Sequence, residues 1–448
     1  MSTLDDLRHA GISTVLAPDD DGYADAVAGF DLGVEVAPPV VVDAKVPADV
    51  ASAVAVAAEQ GVPLTALGTG HGRLHPFVDG VALRLRGLDS VEIDATSRTA
   101  RIGAGCAWAS VVAAAAKHGL AAPCGSSPGV GVVGYLLGGG IGPLARSVGF
   151  STDHVRSFEV VTPADGPITV SRDSHPDLFW AMRGGKVGLG VVTAVTVELL
   201  PFAQIVGGGV YFDGADSAAA LSAYIDWAPF LPETTTTSLA LLRLPESPAL
   251  PPALSGKRVA HVRFASVDDV DYAHAQLAAM RSVATPVFDT VGVLPYAQIG
   301  SVHGDPTAPM PVANGTASLA TLGADTADAL LAAGGLETDL PLSAVEIRTL
   351  GGATHRETEP DAVGGRDTTT LLNVYAAPVP GLADETRLDA VRSVLDATTP
   401  WQASTTLVNF VGRANSDDAF DTSWSADQRR QLDDIRRAHD PSGVFSAR

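Results

Sequence analysis

Residues 48–60, ADVASAVAVAAEQ, carry apolar side chains at helical spacing and stop at Gly61, which predicts a helix running into a short strand over residues 62–67. VALRLRGL and VEIDATSRTARIGAG, from Val81 and Val91, alternate as strands do, and residues 108–118 form a helical pattern ended by Gly119. SFEVVTPADGPITV predicts a hairpin turning at residues 163–167. DLFWAMRGG reads as a short helix closed by glycine, and GVVTAVTVELLP as a β-branched strand stopped by Pro201.

The texture changes over residues 202–404. Valine-rich strands alternate with alanine-rich helices such as 216–227 and 268–283, a pattern that fits a mostly antiparallel sheet with flanking helices. From Ser404 the run STTLVNFVG reads as one further strand, followed by a polar helix over 426–439 and the terminal DPSGVF. No repeat at solenoid spacing is present. The expected fold class is therefore α+β, divided into residues 1–201, 202–404 and 405–448.

Composition adds bounds. With 448 residues and 46% apolar content the chain can bury the cores of two or three domains. A net charge of −22 repels phosphate backbones and anionic headgroups, which excludes nucleic acid and the membrane surface as partners. The N-terminal run lacks a basic segment followed by an apolar stretch, and the longest apolar runs are too short to span a bilayer, so the expected location is the cytoplasm. The two cysteines, Cys106 and Cys124, form no CxxC and read as small core residues.

The candidate chemistry lies in two glycine-rich stretches, LGTGHG at residues 67–72 and GSSPGVGVVGYLLGGGIG at 125–142. Glycine this dense implies main chain laid against a large flat or anionic ligand. Three familiar patterns match here by letter only. Gly129, Gly131 and Gly134 spell a dinucleotide fingerprint, but no strand pattern precedes them and the glycine triplet that follows opposes a helix. Gly125, Ser127 and Gly129 spell a nucleophile elbow, but Pro128 has no N–H for an oxyanion hole. His71 and His75 are spaced as helical metal ligands, yet Gly70, Gly72 and Pro76 forbid the helix, so no metal site is expected.

What remains is the joint order of GTGH, the glycine run before Val132, and RGGKVGLGVVT from Arg183. In these motifs the chain resembles the berberine bridge enzyme-like branch of the vanillyl-alcohol oxidase (p-cresol methylhydroxylase) flavoprotein superfamily. The resemblance covers residues 35–200 and resumes in LVNFVG and DPSGVF. It implies a two-part FAD-binding domain, residues 1–201 completed by 405–448, with a substrate domain between. It also implies that Leu67, Gly68, Thr69, Gly70, His71 and Gly72 hold FAD together with Ser127, Val130, Gly131, Val133 and Gly134. The same reading adds Gly138, Gly139, Gly140 and Gly142, then Gly190, Val191 and Val192, and Asn409 near the isoalloxazine.

The family commonly bonds the flavin methyl carbon to a histidine at the place of His71. Ser127 stands where doubly linked members carry cysteine, so the implied attachment is monocovalent. Tyr135 replaces a family histidine, and the usual RGGGGNFG is RGGKVGLG here. The implied activity is a FAD-linked oxidase or dehydrogenase acting on a CH–OH or CH–NH group of a small molecule, with hydride passing to flavin N5 and O₂ as acceptor. Tyr375, Arg348 and Tyr135 are the candidate catalytic residues, with Glu346 and His303 beside them; a tyrosine is expected to act as base if Arg348 lowers its pKa. Glu346 and Arg348 share a strand face and are also placed to pair with each other. The alternative is a degenerate flavoprotein that keeps FAD for structure and serves as a binding or cyclisation scaffold. A monomer or homodimer is expected.

Overall fold

The computed structural model describes residues 2–445, so Met1 and residues 446–448, at the outer ends of the first and last segments, lie outside the described residues. The helix Pro47–Gln60 starts on a proline and ends at Gly61, whose left-handed φ of 64° supplies the C-terminal cap. Val50, Ala53, Val54 and Ala57 form its buried stripe. It packs over a four-stranded sheet in which Val40–Asp43, Val81–Arg84 and Leu64–Leu67 run parallel, with Val15–Leu16 antiparallel at the edge. Every residue of Val40–Asp43 is buried, as expected of a strand covered on both faces.

A five-stranded antiparallel sheet follows, built from Val91–Asp94, Thr99–Gly103, Val155–Thr162, Gly166–Ser171 and Val191–Glu198. Its hairpin closes with Thr162 opposite Gly166, inside the turn that the sequence marks. The two sheets share one large core in which Trp108, Leu136 and Phe158 are fully enclosed.

The third sheet has eight antiparallel strands drawn from residues 204–376, and its two faces differ in chemistry. Ala260, Val262, Phe264, Val345, Ile347, Leu372 and Val374 point into a core shared with the helices Ser217–Trp227, Val270–Arg281, Ala324–Gly334 and Asp384–Ala397. The alternate positions His261, Arg263, Glu346, Arg348 and Asn373 are polar, yet they are buried as well. The N-terminal half covers them, so a polar face lies sealed at the seam between the two halves.

Two elements differ from the sequence reading. A short helix, Val132–Leu136, does follow Gly131; it ends before the triplet Gly138–Gly139–Gly140, so the glycines terminate the helix rather than prevent it. The segment STTLVNFVG is not a strand and contains only the single turn Val408–Phe410. Leu407 packs in a small seam cluster with Ile141 and Leu371, whereas Val408 joins the N-terminal core. Successive side chains serving different cores cannot keep the two-residue alternation that a strand requires.

The polar helix Ala426–His439 begins on a Ser425/Gln428 capping box and buries Leu432 and Ile435. Beyond it the chain returns to the first sheet, where Leu64 N–H donates to the Val444 carbonyl at 2.8 Å. No helix among the described residues is long and apolar enough to cross a membrane.

Candidate functional site

The strand Leu64–Leu67 delivers the loop of residues 68–72 to the N-terminal side of the seam. Gly70, with φ 77°, lies so close to Gly29 that a Cβ there would overlap backbone. Residues 29–31 run alongside: Phe30 N–H donates to Thr69 O at 3.0 Å, and the Phe30 ring stacks on His71 with centroids 4.0 Å apart. Thr69 Oγ1 accepts from Gly131 N–H at 3.0 Å and lies 2.8 Å from His71 Nδ1, so one hydroxyl ties both glycine loops to the histidine. Burial lowers the His71 pKa to about 4, leaving the ring neutral at ordinary pH.

These loops leave space and unused donors. A Cβ at Gly68, Gly72, Gly129 or Gly134 would meet nothing within 4 Å. The backbone N–H groups of Thr69, Gly70, His71, Gly72, Val133 and Gly134 find no acceptor among the described residues. Free backbone N–H groups beside open space suit an anion.

The end of the second loop is built differently. A Cβ at Gly138 would overlap the Asn409 side chain, one at Gly140 the Tyr135 ring, and one at Gly142 the Cys124 carbonyl. Gly139 and Gly140 also have φ of 94° and 80°. Gly190, with φ 118°, fits against Val160 and opens the strand holding Val191 and Val192, both 2% exposed. Packing within the chain is enough to require these glycines. Of the rest of that stretch, Ser127 and Val130 are half-buried, and Val133 is buried in the N-terminal core.

Asn409 is held from two sides. Its Nδ2 donates to Tyr135 O at 2.8 Å, and its Oδ1 accepts from Lys186 Nζ at 2.5 Å. Lys186 also donates to Gly134 O at 2.8 Å, and burial lowers its pKa to about 8. The folded state therefore releases this proton near pH 8, while the unfolded chain keeps it until about pH 10.4. Between those values the unfolded state binds more protons, so stability rises with pH through the window. Denaturant unfolding at pH 7.5 and pH 10 should show that increment, and Lys186→Met should remove it.

Across the seam, the polar sheet face forms one charged cluster. Arg263 Nη1 lies 2.6 Å from Glu346 Oε1, and Arg348 Nη2 lies 3.1 Å from both carboxylate oxygens. Asn373 Nδ2 donates to Oε2 at 3.2 Å. Arg348 also donates to His303 Nε2 at 3.4 Å and lies over the Phe410 ring at 5.3 Å. Burial alone would raise the Glu346 pKa, but Arg348 and Arg263 hold the carboxyl well below the usual carboxylate range. Burial, with Arg263 and Arg348 adding to it, holds the His303 ring neutral. A recess opens between the two halves, lined by Gly142, Thr237, Arg263, His303 and Arg348 among others.

Residues 38–171 match the family described as FAD binding domain. The chain is 31% identical over 304 residues to (R)-6-hydroxynicotine oxidase of Paenarthrobacter nicotinovorans, a match covering 65% of this chain and 63% of that protein. The crystal structure of 6-hydroxy-D-nicotine oxidase from Arthrobacter nicotinovorans superposes with a TM-score of 0.83 at 24% identity, over 97% of each chain. The BBE-like 1 protein of Physcomitrella patens superposes with a TM-score of 0.86 at 17% identity, over 100% of this chain and 98% of that one. The chain carries a match to a FAD binding domain and shares the fold of both solved structures. The curated relative is thus matched over less than two thirds of its length, whereas the fold is shared end to end.

Within this fold the three expected catalytic residues do not share one pocket lining. Arg348 lines the recess, but Tyr375 and Tyr135 are absent from its lining. Burial, reinforced by Glu346, pushes the Tyr375 phenol above its ordinary pKa, and the opposing pull of Arg348 does not overcome them. Tyr135 lies edge-on to Trp108 and accepts from Ser151 Oγ at 3.1 Å, and burial raises its pKa also. Arg348 is engaged by Glu346, and its pull on the Tyr375 proton is smaller than the effect of burial. Arg263 and Asn373 escaped the sequence reading; the signal was a charged or amide residue inside each of the apolar runs AHVRFA and LLNVY. No cluster of His, Cys, Asp and Glu among the described residues could hold a metal.

Proposed function

We propose that this chain is a FAD-dependent oxidase that removes hydride from a carbon bearing an amine or hydroxyl group of a small molecule, with O₂ as the electron acceptor. FAD, when bound, supplies the two-electron acceptor at its N5. The observation that carries the reading is the pair of loops tied by Thr69, with free N–H groups beside glycines whose Cβ positions are open. That cradle fits a dinucleotide pyrophosphate, with Leu67, Gly68, Thr69, Gly70, Gly72, Gly131, Val133 and Gly134 in contact. Ser127 and Val130 stand beside it, and Asn409 would lie by the flavin ring, positioned by Lys186 and Tyr135. Gly138, Gly139, Gly140, Gly142 and Gly190 shape this wall, and Val191 and Val192 anchor it. Residues 1–201 with 405–448 would form the cofactor domain and 202–404 the substrate domain.

His71 is the proposed point of covalent attachment. In the tautomer whose Nδ1–H donates to Thr69 Oγ1, the stacked ring keeps the Nε2 lone pair free. Arg348 is the residue we assign to orienting substrate, while Tyr375 and Tyr135 are given no proton transfer. None of the side chains lining the recess is suited to accept a proton: Arg263 and Arg348 are donors only, and His303 Nε2 already accepts from Arg348. This favours an amine carbon, from which hydride departs with help from the nitrogen lone pair and without a base. The scaffold alternative is not favoured, since a purely structural cofactor has no use for buried guanidinium groups facing a recess.

Two free buried thiols, Cys106 and Cys124, fit the proposed cytoplasmic location. Anaerobic mixing of the purified protein with a panel of small amines and alcohols tests the activity. At least one, an amine before an alcohol, should bleach the visible flavin band, and air should restore it. A flavin that no member of the panel reduces would contradict the oxidase reading.

A further inference from the structure

We propose that the recess takes its substrate by a carboxylate, seated against Arg263 and Arg348, so that the substrate class is small organic acids carrying the oxidisable carbon. The inference rests on the oxidase reading for the meaning of substrate, but its geometry is independent of it.

Hydrogen-bond accounting leads to it. Both oxygens of Glu346 are occupied, by Arg263, Arg348 and Asn373. Nε of Arg263 and Nε of Arg348 are buried without any partner, and so is Nδ1 of His303. Because His303 Nε2 accepts from Arg348, its Nδ1 carries the proton and is a donor too. Three residues lining one recess thus have buried donors and no acceptors, in side chains that are 7%, 5% and 7% exposed. Buried donors left unmatched are costly, so the missing partner is rich in acceptors.

Charge points the same way. Two guanidinium groups share one carboxylate, leaving an excess positive charge inside a chain whose net charge is −22. Arg146 adds another: its guanidinium donates only to the carbonyls of Thr235, Leu350 and Leu231, while its backbone N–H donates to Thr236 Oγ1 beside the recess. His261, on the same strand face as Arg263, is held neutral chiefly by burial. Asp305, whose charge also acts on Arg348, accepts from Ser126 Oγ at 2.7 Å and does not line the recess. A planar carboxylate matches guanidinium donors and neutralises the excess. The cradle at residues 68–72 has its own free donors for a pyrophosphate, so these arginines are not needed there.

Benzoate and benzamide, alike in shape and different in charge, are the probes. Calorimetric titration of the purified holoprotein should give a benzoate affinity at least about tenfold above that of benzamide, declining as salt is raised. Benzoate should also shift the visible flavin band. Arg348→Met should lower the benzoate affinity about tenfold or more without changing that of benzamide. Arg263→Lys, which keeps the charge, should retain the preference for benzoate if Arg348→Met proves unstable. Equal affinities, no binding of either probe, or a preference unchanged in Arg348→Met would overturn the inference. A colourless protein that still prefers benzoate would refute the flavin reading and leave the carboxylate site standing; a yellow protein with no preference would do the reverse.

Discussion

Glu346→Ala is expected to destabilise the folded protein by about 3–5 kcal/mol, the range for removing one partner of a buried ion pair. The carboxylate is 3% exposed and is the acceptor that Arg263 and Arg348 share, so its loss leaves two guanidinium groups buried without a counterion. Asn373 Nδ2 loses its acceptor at the same time. Because Glu346 is held ionised far below its ordinary range, its contribution is present above the unfolded carboxylate pKa and lost only as pH falls below it. Denaturant unfolding at pH 7 measures the effect, and Glu346→Gln, which keeps the volume and one acceptor, should lose less. A change below about 1 kcal/mol in the alanine variant would mean that the cluster is solvated rather than sealed.

His71→Ala should change the attachment of flavin from complete to none. Acid precipitation of the unaltered protein is expected to leave the yellow colour in the pellet, whereas the variant should release it to the supernatant. The ring is set for one bond: Phe30 fixes its plane at 4.0 Å, Thr69 engages Nδ1, and burial keeps it neutral. A neutral imidazole with one free nitrogen is the nucleophilic form. Thr69→Val should retain the loop but loosen the ring, and so slow attachment rather than abolish it. Colour in the supernatant of the unaltered protein would show that His71 only stacks beside the cofactor.

Periodicity in the sequence was a good guide wherever one face of an element meets a single core. The stripe of Val50, Ala53, Val54 and Ala57, the hairpin at Thr162 and Gly166, and the helix Ala426–His439 were all legible for that reason. It failed at the seam, where one segment serves several surroundings. Leu407 and Val408 point into different clusters, which turned an apparent strand into a single turn. Arg263 and Asn373 were not singled out, because nothing in a strand pattern tells a polar face open to water from one sealed under another domain. Glycine density was legible as a signal but not in its cause. Gly68, Gly72, Gly129 and Gly134 border open space, whereas Gly138, Gly140 and Gly142 make room for Asn409, Tyr135 and the Cys124 carbonyl.

The central claim is that the Thr69-tied glycine loops grip a flavin dinucleotide, and the visible absorption spectrum of the purified protein tests it most directly. Flavin bands between about 350 and 500 nm at one equivalent per chain, with FAD and not FMN stoichiometry in a digest, are the predicted result. A protein without such bands that also takes up no added FAD would contradict the account.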